Sequence, residues 1–86
     1  MITVSFKPTF VRQLKKLEGE LVEEVLEKLE LFKSSRNHKL LKVHKLHGKL
    51  VGFYSFSVNY KIRIVFEYLS ENGVVLLSIG DHEVYR

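Results

Sequence analysis

The spacing of apolar residues changes once along this 86-residue sequence, from a helical repeat to a strand repeat. Between residues 21 and 32 the apolar side chains recur every three or four residues, which places them on one face of a helix. From residue 50 to residue 68 they alternate with other side chains, which is the two-residue repeat of a strand. This order predicts an α+β domain, with helices first and antiparallel strands after them.

Pro8 and Gly19 delimit two predicted helices in the first part of the sequence. Before them, alternating residues 2–6 predict a short half-buried strand, which Pro8 ends because proline lacks a backbone donor. Pro8 also suits the first position of a helix, and Gly19 breaks the apolar repeat of that helix. The predicted apolar face of the second helix consists of Leu21, Val22, Val25, Leu26, Leu29 and Phe32. The two helices form a predicted hairpin.

Two turn signals divide the second part into three predicted strands. A tight turn at residues 58–60 separates two alternating runs, the first of which begins at Leu50. Residues 71–73, Glu-Asn-Gly, predict another turn because Asn-Gly accepts positive φ angles, and residues 74–79 then form the last strand. The predicted order is β-α-α-β-β-β. It corresponds to an N-terminal strand and a helical hairpin packed on one face of a small, mainly antiparallel sheet, in a single domain of residues 1–86.

Composition excludes several kinds of chemistry. The sequence has no cysteine, which rules out disulfides, a thiolate zinc site and a cysteine nucleophile. A chain of this length builds one core, so we expect a functional site on the surface or edge of the domain. The N-terminus has no basic region followed by a long apolar stretch, and the apolar run at residues 74–77 is too short to span a bilayer. We therefore expect a soluble cytoplasmic protein with no membrane partner.

Basic residues are concentrated in the middle of the chain. Residues 33–66 contain eight lysines and arginines, three histidines and no carboxylate. Residues 1–32 carry five basic and six acidic side chains, and residues 67–86 carry one basic and four acidic side chains. The middle region is therefore a candidate surface for a polyanion such as RNA. The alternative is a solvated basic surface with no ligand.

Four segments of the sequence resemble, in the same order, those of a known family. They are residues 10–17 (FVRQLKKL), 44–52 (HKLHGKLVG), 60–66 (YKIRIVF) and 79–86 (IGDHEVYR). The chain resembles the RelE/ParE superfamily of toxins of type II toxin–antitoxin systems, and in particular the RelE/YafQ-like branch of mRNA interferases. The resemblance extends over essentially the whole chain.

This resemblance implies an enzyme that inhibits translation. An mRNA interferase of this kind enters the ribosomal A site and cleaves the message by attack of a ribose 2′-OH on the adjacent phosphate. The resemblance implies no metal and no other cofactor. The implied partners are a cognate antitoxin protein, the ribosome and mRNA, with operator DNA contacted only through the antitoxin complex.

The resemblance also implies catalytic roles for Arg63, His82 and Tyr85. Arg63 corresponds to a strand arginine, and its guanidinium suits the oxygens of a phosphate in the transition state; the alternative is a surface cation paired with Glu67. His82 lies where many ribonucleolytic members carry a histidine or arginine, and imidazole transfers protons near neutral pH; the alternative is an exposed histidine with no role. Tyr85 matches a terminal aromatic residue that stacks on a base or assists proton transfer, or else anchors the tail.

His44 is the fourth implied catalytic residue, because it corresponds to a histidine of the YafQ-like branch. Where that branch has a second histidine this chain has Ser57, and Ser55 and Ser57 also replace the strand lysines of the RelE branch. Serine is a poor acid or base, so proton transfer is left to His44, His82 or His47. His47 has no counterpart in the family, and we predict a structural or solvent-exposed role for it.

The remaining cationic side chains are predicted to contact RNA without reading its sequence. Lysine ammonium groups bind phosphates in this way, and the predicted RNA-binding residues are Lys39, Lys42, Lys45, Lys49 and Lys61. Three histidines, at positions 38, 44 and 47, also suggest a metal site. No cysteine or clustered acidic ligand accompanies them, and we predict no metal site.

Two other functions remain open from the sequence. A ParE-like toxin has the same fold but inhibits DNA gyrase and cleaves nothing; His82 argues against it, since that branch needs no acid or base in the tail. A catalytically inactive homologue that binds RNA or an antitoxin is the second alternative, and the serines at positions 55 and 57 favour it.

Overall fold

The computed structural model describes residues 1–85 and contains the predicted α+β architecture. Its helices and strands are β1 (Thr3–Phe6), α1 (Pro8–Lys15), α2 (Gly19–Phe32), β2 (His44–Lys45), β3 (Tyr54–Ser57), β4 (Arg63–Ser70) and β5 (Gly73–Gly80). Short 3₁₀ turns cover Ser35–Asn37, Gly48–Leu50 and His82–Tyr85. The predicted fold class is confirmed, and the predicted elements occur in the predicted order, with the short strand β2 in addition. Within residues 1–85, the helices are too short and too polar to cross a membrane.

The strands form one mixed sheet in the order β1-β5-β4-β3-β2. The three neighbouring pairs from β5 to β2 are antiparallel, and β1 lies parallel to β5. Parallel pairing needs a long crossover, and here the helices and the three intervening strands supply it. β2 was not predicted, because its two residues are too few to produce an alternating pattern.

The strand predicted to begin at Leu50 begins four residues later, at Tyr54. Gly48 and Gly52 have φ angles of 66° and 95°, in the left-handed region that glycine adopts without steric cost. These angles curl residues 48–53 into a turn, so the apolar alternation there does not correspond to a strand. Tyr60, which also fits the alternation, lies in the turn between β3 and β4.

Both helices cover the same face of the sheet and build an aromatic core. The ring of Phe32 on α2 stacks on Phe56 of β3 with centroids 4.5 Å apart and meets Phe66 of β4 edge-on at 4.9 Å. Burying a phenylalanine side chain contributes about 1.5–3 kcal/mol, so this cluster fixes α2 on the sheet. Leu26 is 52% exposed, which corrects the predicted apolar face of α2. The buried positions are 25, 29 and 32, a narrower stripe than the sequence indicated.

The opposite face of the sheet, here called the open face, is crossed by the end of the described chain. The turn His82–Tyr85 contacts β4 and β5. It lies so close to the sheet that a Cβ atom added at Gly80 would stand 3.1 Å from Cγ1 of Val84. The absence of a side chain at Gly80 therefore allows the tail to turn back over the sheet. The predicted site residues of the tail are thereby brought to the face that the helices leave uncovered.

Candidate functional site

The pairing of the strands aligns several predicted site residues in two adjacent rows on the open face. In one row His44 of β2 lies opposite Ser55 of β3. In the next, Arg63 of β4 lies between Ser57 of β3 and Gly80 of β5. Directly opposed residues share a face, with Cβ atoms about 4.5–5.5 Å apart. The sheet therefore places an imidazole, two hydroxyls and a guanidinium in two neighbouring rows of one face.

Tyr85 reaches the first row from the tail. Its hydroxyl lies 2.9 Å from Oγ of Ser55 and forms a hydrogen bond with it. Ser55 has 0% exposure, and a buried hydroxyl needs such a partner. Tyr85 therefore covers Ser55 on the open face. His44 and Tyr85 therefore flank Ser55, one from the neighbouring strand and the other from the tail.

The imidazole of His44 is exposed and held in one orientation. Its Nδ1 atom lies 2.7 Å from the backbone oxygen of Lys42. A carbonyl oxygen can only accept a hydrogen bond, so Nδ1 carries the hydrogen and the neutral ring has its lone pair on Nε2. Lys42 itself has a φ of 59°, a left-handed conformation that is uncommon for a residue other than glycine. His44 is thus able to accept a proton at Nε2.

Arg63 is half-buried and is held by backbone oxygens of the preceding turn. Its Nη1 donates to the carbonyl oxygen of Asn59 and, at 3.3 Å, to that of Ile62. Both bonds use Nη1, which leaves the donors on Nη2 and Nε for a ligand. The alternative partner Glu67 forms no ion pair with Arg63 in the described part of the chain.

Asn59 organises the turn that holds Arg63, a role the sequence analysis missed. Its Oδ1 accepts hydrogen bonds of 2.8 Å from the backbone N–H groups of Lys61 and Ile62. Its Nδ2 donates to Oε1 of Glu24 on α2 at 2.7 Å. An asparagine in a tight turn commonly bonds the backbone two residues on, which was the available signal. The bond to Glu24 joins residues 35 positions apart and has no signal in the sequence.

His82 lies at the start of the tail turn, and its side chain is exposed. Gly80, which pairs with Arg63, lies two positions before His82. The ring centroids of His82 and Tyr85 are 6.4 Å apart. His47 is exposed as well. His38 has a structural role, because its ring stacks on Phe32 and its Nε2 lies 2.8 Å from the backbone oxygen of Phe32.

The five lysines predicted to contact RNA are all exposed: Lys39, Lys42, Lys45, Lys49 and Lys61. Among residues 1–85 no three histidine, aspartate or glutamate side chains are close enough together to hold a metal ion. Burial raises the pKa of Tyr68, and the neighbouring Tyr54 raises that pKa further. Both tyrosines pack against the core on the helix side of the sheet, away from the open face.

Solved structures match the chain along nearly all of its length. The toxin–antitoxin complex RelBE2 from Mycobacterium tuberculosis has 26% sequence identity and a TM-score of 0.75, covering 94% of this chain and 98% of its own. YafQ from E. coli, at 12% identity, has a TM-score of 0.70 and coverages of 99% and 98%. The YoeB/ParE toxin from Agrobacterium tumefaciens, at 15% identity, has a TM-score of 0.67 and coverages of 94% and 99%.

The two less identical structures establish the fold alone. No protein-family model matches the sequence, and no curated protein matches it. The fold, the length and the order of the elements nevertheless agree with these toxin structures from end to end. The chain has the fold of the toxins of the RelE/ParE superfamily.

Proposed function

We propose that this protein is the toxin of a type II toxin–antitoxin system and that it is a ribosome-dependent endoribonuclease acting on mRNA. The observation that supports this most is the alignment of His44, Arg63 and Tyr85 on the open face of the sheet. The proton acceptor and the fixed cation there belong to a 34-residue segment with no carboxylate, and the tail adds a hydroxyl donor. An RNA backbone is attracted to such a surface.

The proposed reaction cleaves the mRNA at a phosphodiester bond. Nε2 of His44 accepts the proton of a ribose 2′-OH, and the 2′ oxygen attacks the adjacent phosphorus. The guanidinium of Arg63 donates to the non-bridging oxygens, where charge develops in the pentacovalent transition state. The bond from phosphorus to the 5′ oxygen breaks, and an acid protonates that oxygen. The products are a 2′,3′-cyclic phosphate and a 5′-hydroxyl end.

The tail supplies the acid in this scheme. We assign it to His82, whose imidazolium form carries a transferable proton and whose ring is exposed. Tyr85 is the second candidate, although its hydroxyl is engaged by Ser55. If that hydroxyl is only an anchor, the ring of Tyr85 still offers a surface on which an unstacked base can stack.

A cognate antitoxin is the proposed protein partner. RelBE2, the 26%-identical structure, is a toxin–antitoxin complex. Residues 33–66 of this chain carry eight basic side chains and no acidic ones, so an acidic segment of an antitoxin is attracted to the surface that RNA would use. Binding there would mask the open face. We propose that operator DNA is contacted only through the antitoxin complex.

The experiment that tests the proposal maps mRNA 5′ ends after expression of the chain without antitoxin, in translating and in translation-blocked cells. Cleavage that requires translation and is lost in Arg63→Ala and His82→Ala supports the proposed nuclease. His44→Gln and His47→Gln form a matched pair, because each removes an exposed imidazole and the two positions are only three residues apart. We expect loss of cleavage only for His44→Gln.

Growth arrest with intact mRNA would contradict the nuclease. Stalled replication and inhibited gyrase in the same cells would then identify a ParE-like toxin. The absence of growth arrest, with RNA or antitoxin binding retained, would identify a catalytically inactive homologue. The observation in favour of an inactive homologue is that Ser55 is buried beneath Tyr85.

A further inference from the structure

A cavity of about 360 Å³ adjoins Arg63 at one end of the sheet. Its walls are residues 40–42, the turn of residues 57–60, Lys28 of α2 and Arg63 itself. Small-molecule sites begin at about 300 Å³, so the cavity has room for a group the size of one nucleotide. None of the catalytic assignments above uses residues 40, 60 or 28.

The cavity is lined by cations and by no carboxylate. Lys28, Lys42 and Arg63 contribute its charged groups. α2 is otherwise acidic, with five glutamates, and Lys28 is its one basic residue. In the described part of the chain none of the three cations forms an ion pair. Three like charges around one cavity repel each other, and a bound anion relieves that repulsion.

Two unusually exposed apolar side chains form the outer walls. Tyr60 is 91% exposed and Leu40 is 72% exposed, although both line the cavity. An aromatic ring and an aliphatic side chain beside phosphate-binding cations match the two parts of a nucleotide. A base stacks on the ring, and a phosphate binds the cations.

The walls are held in place before any ligand binds. The backbone N–H of Ser57 donates to the oxygen of Leu41 at 2.9 Å, which joins the two sides of the cavity. Asn59 ties the turn carrying Tyr60 to Glu24 of α2. The left-handed backbone of Lys42 is a further local constraint of the kind found at ligand sites.

We propose that this cavity binds one nucleotide of the RNA substrate, adjacent to the phosphate that Arg63 holds. Its base lies against Tyr60 and Leu40, and its phosphate contacts Lys28 and Lys42. The inference rests on the proposed nuclease function and adds a subsite that orients the RNA and selects among bases next to the cut. An acidic peptide would satisfy the cations but would leave the aromatic ring unused, so RNA fits the cavity better.

Direct binding tests the cavity without relying on cleavage. The four ribonucleoside 3′-monophosphates are titrated into the ¹⁵N-labelled protein, with inorganic phosphate as the reference, and the amide signals of Leu41, Ser57 and Val58 are followed. We expect Tyr60→Ala to weaken mononucleotide binding about tenfold, which lies within the loss typical of removing a base–aromatic stack. Lys28→Ala should also weaken binding, because it removes a contact to the phosphate. Tyr60→Phe keeps the ring and should retain binding. Lys15→Ala removes an exposed lysine of α1 and is the matched charge control.

Mapping of cleavage ends separates this proposal from the function on which it rests. If the wild-type protein cleaves mRNA, Tyr60→Ala should change the distribution of bases beside the cut. If Tyr60→Ala changes neither the distribution of bases beside the cut nor the binding of mononucleotides, the proposed subsite is wrong and the proposed nuclease still stands. If the wild-type protein cleaves nothing but mononucleotides shift the cavity amides in a Tyr60-dependent manner, the subsite stands and the nuclease falls. Occupation by a glutamate-rich peptide instead of nucleotides would overturn the subsite as well.

Discussion

Arg63 and the tail residues lie on the same face of the sheet, but they are held very differently. The Arg63 corner, which comprises residues 59–63 and Glu24, is fixed by bonds from Arg63 to two backbone oxygens and by three side-chain bonds of Asn59. The tail, residues 81–85, meets the sheet through a hydroxyl–hydroxyl bond between Tyr85 and Ser55 and the close approach of Val84 to Gly80. Within the tail, the N–H groups of Glu83 and Val84 donate to Asp81. His82 within it is exposed.

This difference matches two roles in the proposed reaction, which are the stabilisation of developing charge and the delivery of a proton. A donor that stabilises developing charge is most effective when it is fixed in advance, because no reorganisation then opposes the reaction. A group that delivers a proton to a departing oxygen must follow the substrate, and segments with few buried contacts open most easily. The structure therefore suggests a rigid cation and an adjustable acid. The four predictions below test that division, beginning with the largest expected effect.

The largest loss is expected for Arg63→Ala. Removing a fixed donor to a developing oxyanion lowers catalytic rates about 10²–10³-fold, and we expect the upper end because Arg63 supplies both charge and donors. Arg63→Lys should recover only part of the activity, since a lysine ammonium group lacks the planar fork. The measurement is the single-turnover rate of mRNA cleavage on purified ribosomes.

Thermal unfolding of the same Arg63 variants provides the control. Arg63 is half-buried and its Nη1 bonds tie the turn, so a modest loss of stability accompanies either substitution. An alanine variant that folds and cleaves at the wild-type rate would contradict the role of a fixed cation.

A loss of about 100-fold is expected for His82→Ala, the lower part of the range for general acid–base catalysis. Because the side chain is exposed, its removal should leave the free energy of unfolding nearly unchanged. Cleavage rates and chemical denaturation, measured on the same preparation, check both statements. A substrate with a 5′-phosphorothiolate leaving group needs no acid, so it should restore cleavage in this variant. Failure of that substrate to restore cleavage would show that His82 acts in another step.

The sequence predicted the elements of this site more readily than their contacts. Arg63 and His44 were identified from family segments, and the fold class followed from apolar spacing. The burial of Ser55 has no signal in the sequence, because it follows from the return of the tail over the sheet. The strand predicted to follow the turn of residues 58–60 begins only at Arg63, because alternation alone does not show where a strand begins. Contacts between distant segments have no local signal.

The bond between Asn59 and Glu24 is such a distant contact, and it leads to the third prediction. Asn59→Ala keeps the backbone oxygen that Arg63 uses but removes the side chain that shapes the turn. We expect a stability loss of about 1–2 kcal/mol from the lost hydrogen bonds, and roughly tenfold slower cleavage because Arg63 is then less well oriented. Urea denaturation and single-turnover rates measure the two effects.

Glu24 provides the matched comparison for that prediction. Glu24→Gln retains an oxygen that can accept the hydrogen bond of Asn59, whereas Glu24→Ala does not. We expect Glu24→Gln to have the stability and the cleavage rate of the wild-type protein. For Glu24→Ala, both values should lie between those of the wild-type protein and those of Asn59→Ala. Equal rates for all of these proteins would show that Arg63 is positioned independently of the turn.

The smallest effect is expected for Tyr85→Phe, which removes the hydroxyl and keeps the ring. The bond to Ser55 contributes about 0.5–1.5 kcal/mol, and the buried hydroxyl of Ser55 loses its partner. A double-mutant cycle with Ser55→Ala measures the coupling between the two hydroxyls through urea denaturation. If the hydroxyl is an anchor, cleavage should slow by no more than about threefold, since His82 remains the acid. A hundredfold loss would instead make Tyr85 the proton donor, and the tail would then hold its acid as firmly as the sheet holds Arg63.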